Sequence, residues 1–369
     1  MNIQQEKPLI VWQAHEGNLS GANIAMLEYI DALHAVYRSH VILPHEGSMR
    51  KALAELGVPV SVIPQYGWSG NISVTDVRSR LKHFLRSQIA VKTIEKFLQQ
   101  VGAALVCTNT LVPFVAAKAA YALHLPHVWW IHEYGEEDFG FSIGNGNPAS
   151  AYKKMQQWSK LVICNSKDVT KKFKRLLPVA DVQCIYQPVT WPTIIETPKK
   201  HTRSGYLMFG QLTASKGHME VLEAVVKAKQ LGVNVQLAIK GPCEQPVYFA
   251  TLQNFIIANH LDEHVTIETG YLIKEQVIPS YEVLIVASRS EAFGRVIVEA
   301  NKAGLYVLVK NSGGAPEQVN SSNGLLYDTS DELCAVFAGK LPFPVSPPLL
   351  SYNSEAEINH LKKLLSAIR

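Results

Sequence analysis

What most limits the fold of this chain is an alternation that occurs twice along it. Short runs of β-branched and aliphatic residues are separated by longer stretches in which apolar residues recur every three or four positions. In the first half the runs are LIVWQ (9–13), HVILP (40–44), VSVIP (60–64), ALVCTN (104–109), HVWWIH (127–132) and LVICNS (161–166). Ile24, Leu27 and Ile30, and the stretch from Val115 through Leu123, carry the helical spacing between them. Runs that are apolar throughout read as strands covered on both faces, and strands separated by helices pair in parallel. The proline-bearing stretch QPVTWPTIIETPKK (187–200) then interrupts the rhythm as a linker would. It resumes with YLMFG (206–210), VQLAIKG (235–241), HVTIET (264–269), EVLIVAS (282–288) and YVLVK (306–310). The chain is predicted to be α/β, with two consecutive doubly wound, Rossmann-like parallel-sheet domains and ligand sites outside the carboxyl ends of the strands. Its 369 residues are too many for one comfortable core.

A last linker, KLPFPVSPP (340–348), precedes an amphipathic helix in which Ser354 is a candidate N-cap and Ile358, Leu361, Leu364, Leu365 and Ile368 share a face. The predicted domains are residues 1–188 and 189–349.

Composition narrows the function. Five cysteines, scattered and without CxxC spacing, suit a reducing compartment and give no ligand set, so no metal is assigned. The five-residue apolar run near the N-terminus is too short for a signal peptide, and nothing reaches the roughly 18 apolar residues of a membrane span. The expected location is the cytoplasm. The net charge of +4 is mild, with the basic excess in the first half. That half could face a phosphate-bearing partner, an anionic membrane or nothing in particular. Within it, residues 76–98 place Val77, Leu81, Phe84, Leu85 and Ile89 along one helical face among basic residues. Such a helix either lies on an anionic bilayer or packs on the core with a solvated basic face. KKFKRLL (171–177) adds a second basic cluster, but no nucleic-acid motif accompanies it and no such partner is expected.

Three turns in the second half could carry chemistry. In SYEVLIVASRSEAFGRVIVEANKAG (280–304) a strand gives way near Gly294 to a helix, with Glu291 in the loop and Glu299 in the helix. Unpaired N–H groups of Phe293 and Gly294 there suit an anion or a sugar hydroxyl. Taken alone, Glu291 could equally be a helix cap and Glu299 a solvated residue. VLVKNSGGAPEQV (307–319) repeats strand, glycine pair and helix, with Pro316 suited to a first helical position, and its glycines would let backbone amides reach a ligand. MFGQLTASKGHMEVLEAVVKA (208–228) sets Lys216 in a loop before a long helix, where one ammonium could meet a diphosphate. In the first half, Gly21 follows HEGNLS at the end of the first strand, and His132 ends HVWWIH. Either could be a cleft residue or an ordinary structural one.

In this order the segments resemble the family 4 glycosyltransferases, which have the GT-B fold. MFGQLTASKGH is similar to that family's glycine–loop–Lys-Gly segment, EAFGRVIVE to its E-x7-E motif, and NSGGAPEQV with NGLLYD to the loop that follows. The ordered match runs from about Tyr206 to Asp328; LSGAN, WWIHE, CNSKDVTKKF and IYQPV match more loosely in the first half.

The resemblance implies two domains facing a cleft, acceptor on the first and donor on the second, with the helix in 350–369 returning to the first. It implies a metal-independent, retaining transferase that needs no cofactor and moves a sugar from a nucleotide-sugar donor to a glycan or lipid-linked acceptor, in cell-surface polysaccharide or glycoconjugate synthesis. Work at the inner face of the cell membrane goes with it. Glu299 would hold the ribose, Glu291 would sit beside the transferred sugar, and Lys216 would neutralise the diphosphate. Gly210, Gln211, Gly241, Ala292, Phe293, Gly294 and Arg295 would complete the donor site. Ser20 and Gly21 would form the acceptor-side loop, and His132 would contact the transferred sugar. One position departs from the pattern: the family's arginine after the first glycine is Gln211 here, leaving Arg295 or Lys240 to compensate. That departure also admits an alternative, a catalytically silent sugar- or nucleotide-binding subunit that partners an active transferase.

Overall fold

The computed structural model describes residues 6–65, 67–68, 77–144, 146–192, 204–341, 350 and 352–368. It divides into two compact units, Met1–Pro188 with Ser354–Arg369, and Val189–Asn353. The first is built on β1 (Leu9–Gln13), β2 (Arg38–Leu43), β3 (Val60–Val62), β4 (Leu105–Asn109), β5 (His127–Ile131), β6 (Leu161–Cys164) and β7 (Val182–Cys184). The second is built on β8 (Tyr206–Phe209), β9 (Leu237–Gly241), β10 (Val265–Thr269), β11 (Val283–Val286), β12 (Tyr306–Lys310) and β13 (Gly324–Tyr327).

Every pairing is parallel. The orders are β3-β2-β1-β4-β5-β6-β7 and β10-β9-β8-β11-β12-β13, so each sheet is wound outward in both directions from an inner pair. The cause is composition: β1, β4, β5, β6 and β11 are buried at every residue, and only helices on both faces can cover such strands. In the first unit Trp12, Tyr29 and Trp130 pack on one face, while Ala90, Val91, Ile94 and Leu98 cover the other. Neighbouring residues of β5 take opposite sides, Trp130 against Tyr29 with ring centroids 4.1 Å apart and Trp129 stacked on Trp68 at 5.6 Å.

The helix Ser354–Ala367 belongs to this core, with Ile358, Leu361 and Leu365 buried in it and Leu364 and Ile368 against it. Ser354 is its first residue. For the helix Val77–Val101 the sequence left the orientation open, and the structure turns the face with Phe84, Leu85 and Ile89 away from the core. Ser87, Ala90, Val91, Ile94 and Leu98 form its buried face, whereas Phe84, Leu85 and Ile89 are 57%, 52% and 67% exposed. Both faces carry large apolar side chains, and the stripe with Phe84, Leu85 and Ile89 is the one turned outward. The side chains of Val77 and Leu81 lie outside the described residues, as do most of both predicted linkers.

In the second sheet the inner pair β8 and β11 is joined at only two positions, Val283↔Tyr206 and Leu284↔Leu207. Both strands run on past these positions, so the sheet opens between them toward its carboxyl edge. This is the topological switch point, where such sheets bind ligands.

Candidate functional site

Met208 and Phe209 of β8 and Ile285 and Val286 of β11, the residues beyond that last pairing, form the floor of a pocket of about 320 Å³, open solvent included. Its polar lining is Gln211, Lys216, His218, Ser288 and Glu291, with Gly210 at the edge. Lys216 ends a 3-10 turn, Ala214–Lys216, that is drawn against β11 by the residue after it. Gly217 has φ +73°, and a Cβ there would stand 2.0 Å from the carbonyl oxygen of Ala287, so no other residue allows this approach. Lys216 Nζ consequently lies 2.8 Å from Glu291 Oε2, across 75 residues of sequence. The two side chains are 39% and 21% exposed, so a ligand can reach both.

Glu291 is held as an anion. Burial raises its affinity for a proton, but the charge and hydrogen bond of Lys216, with donation from Ser288 and the Gly294 amide, outweigh this and leave it below the usual carboxylate range. Gly294, at φ +83°, turns the chain into the helix Arg295–Lys302. His218 is also shifted down, to about 4, chiefly by burial, and so is neutral; its Nδ1 shares a 3.2 Å hydrogen bond with Tyr248. Sequence reasoning passed over His218, although it stands directly after Lys216-Gly217.

The remaining donor-side candidates are placed around this centre. Gly210, at φ +149°, has open space where its Cβ would be, and Gly241 lies behind it, where a Cβ would strike the Gly210 carbonyl oxygen at 2.0 Å. Ala292 and Phe293 are buried. Glu299 is buried too; it accepts from Lys274 and lies 3.9 Å from Arg295. Lys274 also lies over the Trp191 ring, 6.0 Å from its centroid. Gln211 is exposed and donates to Glu244 at 3.1 Å. The glycine pair serves the site differently from the sequence reading. The Gly314 amide donates to the Glu291 carbonyl at 2.8 Å, so it clamps the loop instead of reaching outward.

In the first unit, the switch point lies between β1 and β4. Asn109, the last residue of β4, donates to Ala22 O and Asn23 Oδ1, both at 3.2 Å, and accepts from His132 Nε2 at 2.7 Å. Gln187 donates to His132 Nδ1 at 2.7 Å, which fixes a neutral ring with its proton on Nε2. Asn109 thus joins the candidate histidine to the helix Gly21–Leu33 that carries the candidate loop. Ser20 caps that helix by accepting from the Asn23 amide, and Gly21 opens it with free space at its Cβ position. Close backbone approach falls to Gly17 and Gly47 instead, since a Cβ on Gly47 would meet Gly17 O at 2.2 Å. The repeated His-Glu-Gly at 15–17 and 45–47 is the signal that would have found them.

Glu133, next to His132, holds backbone: Oε1 accepts from the Leu111 amide at 2.5 Å and Oε2 from the His132 amide at 2.9 Å. Among the described residues no group of three or more His, Cys, Asp or Glu side chains could hold a metal ion. None of the helices there is long and apolar enough to cross a membrane.

Residues 20–190 match the family model described as Glycosyltransferase Family 4, and residues 191–335 the one described as Glycosyl transferases group 1. No curated protein matches the chain. Among solved structures, HepE of Anabaena in complex with UDP is 20% identical, with a TM-score of 0.73 over 98% of this chain and 100% of that one. A glycosyltransferase from Rickettsia africae is 17% identical, with a TM-score of 0.72 over 99% and 98%. Sucrose-phosphate synthase from Thermosynechococcus elongatus is 15% identical, with a TM-score of 0.70 over 98% and 99%. At these identities the likeness establishes the fold, GT-B with two Rossmann-like domains.

Proposed function

The chain belongs to the family 4 glycosyltransferases, and on that premise we propose that it is a retaining, metal-independent enzyme of cell-surface polysaccharide or glycoconjugate synthesis. It takes a sugar from a nucleoside diphosphate donor and delivers it to a hydroxyl of a glycan or lipid-linked acceptor. The observation that carries this reading is the Lys216–Glu291 contact inside a pocket at the switch point of the second sheet. HepE, similar in fold, was crystallised with UDP-glucose, which favours a nucleotide-sugar ligand.

Transfer breaks the bond between the anomeric carbon and the donor phosphate oxygen and forms one between that carbon and the acceptor oxygen. The acceptor proton passes to the departing phosphate, so no strong protein base is needed. Lys216 neutralises the diphosphate as it leaves, a role that is strongest in the transition state. Glu291, ionised at working pH, orients the sugar and opposes positive charge growing at its ring. The first unit takes the acceptor, with the His132–Asn109 pair and the loop around Ser20 and Gly21 at its strand ends.

The outward stripe of Phe84, Leu85 and Ile89 lies on the same helix as Lys82, Arg86 and Lys92. Apolar insertion beside cationic side chains fits an anionic bilayer, and this supports work at the inner face of the cell membrane on a lipid-linked acceptor.

Replacement tests the assignment. Glu291→Gln and Lys216→Ala should each lower turnover roughly a hundredfold or more while thermal unfolding stays near that of the wild type. Near-normal turnover in either would sink its role. A second reading, a silent binding subunit, draws on the absent arginine at 211; it predicts nucleotide-sugar binding with no turnover on any acceptor.

A further inference from the structure

Position 211 leaves the pocket short of positive charge. Gln211 is neutral, and its amide is directed to the Glu244 carboxylate, which adds a negative group at that corner. Lys216 is the one cation among the residues that line the pocket, and it already faces Glu291. A nucleoside diphosphate carries more than one negative charge, and a second cationic donor binds it more tightly. Neither cation suggested by the sequence supplies it. Lys240 bonds Glu268 at 2.5 Å and lies over the Tyr281 ring, and Arg295 is turned toward Glu299.

We propose that Arg289 provides the missing guanidinium, binding the donor's diphosphate beside the pocket in place of the charge that Gln211 lacks. The inference rests on the donor-site reading above. Arg289 follows Ser288 and precedes Glu291 by two residues, and both of those line the pocket. Its backbone is fixed on two sides: the amide donates to Ser215 O at 3.1 Å, in the turn that ends with Lys216, and the carbonyl accepts from the Ser312 hydroxyl. Its side chain is exposed, and no described ion pair engages it.

The charge of Arg289 reaches Tyr248. Burial pushes that phenol up, and the Arg289 charge draws it back down. Tyr248 in turn bonds His218, a lining residue. Arg289 is therefore held at its Cα beside the Lys216 turn, with its charge felt on the His218 side of the pocket. His218 itself, being neutral, contributes none. A planar guanidinium can grip two phosphate oxygens at once, which a lysine cannot reproduce.

Calorimetric titration with UDP, GDP and dTDP, and with the matching nucleosides, tests this on the full chain. The variants are Arg289→Gln, Arg289→Lys and the double change Arg289→Gln with Gln211→Arg, with thermal unfolding to check each fold. The diphosphate that the wild type binds should bind Arg289→Gln at least about tenfold more weakly, with Arg289→Lys between. The nucleoside should bind all four proteins alike, and Gln211→Arg should restore the loss. Equal affinity of wild type and Arg289→Gln for that diphosphate would overturn the inference and leave the donor site standing. So would an equal loss of nucleoside binding. If the wild type binds none of the three, the donor-site reading fails and this inference falls with it.

Discussion

Glu291 accepts hydrogen bonds from an ammonium, a hydroxyl and a backbone amide, whereas Glu133 accepts from two backbone amides inside the first unit. The difference sets their protonation. Glu291 lies below the usual range; Glu133, where burial is the largest influence, is raised to about 7. A carboxyl raised on folding binds more protons folded than unfolded between about 4.5 and 7, so its contribution to stability falls as pH rises through that window. Wild-type stability relative to Glu133→Gln should therefore drop by up to roughly 3 kcal/mol from the bottom of the window to its top, read from urea unfolding at a series of pH values. A difference that stays constant with pH would refute it. Single residues were unevenly legible in the sequence. Lys216 and Glu291 stand in recognisable loops, but their 2.8 Å contact depends on a strand order that no local pattern shows. His218 and Asn109 carry no spacing that separates them from ordinary residues until the fold brings them beside the candidates, whereas Gly17 is marked by the repeated His-Glu-Gly.

At the scale of elements, most strands were readable because each is a continuous apolar run. β7 (VQC) and β13 (GLLY), short strands at sheet edges, were not singled out. The helix Val77–Val101 was found with its orientation left open, since both of its faces carry large apolar residues and periodicity alone does not say which meets the sheet. Its outward stripe yields a direct test. The double change Phe84→Glu and Ile89→Glu should abolish co-sedimentation with phosphatidylglycerol vesicles and leave the thermal midpoint nearly unchanged. Equal sedimentation of variant and wild type, or none by the wild type, would contradict membrane contact. The helix Ser354–Ala367 makes the opposite case, a segment distant in sequence that is part of the first core. Leu361 is fully buried there, so Leu361→Ala should cost about 2–5 kcal/mol in an unfolding titration. A loss below about 1 kcal/mol would show that the helix does not stabilise that core.

Over the whole molecule, two separately cored α/β units were legible because the strand–helix rhythm is local and recurs. What local pattern cannot encode is the early end of pairing between β8 and β11, which opens the sheet and makes the pocket. The loops after β8, β11 and β12 then meet around Glu291, so the order of three motifs along the chain becomes one site in space. The central claim is that this site splits a nucleotide sugar without a metal. It is tested most directly by incubating the wild-type protein with UDP-, GDP- and dTDP-sugars, with and without EDTA, and measuring released nucleoside diphosphate. Slow release from one donor class, unchanged by the chelator, is the predicted result; no release from any donor, or release abolished by EDTA, would contradict it.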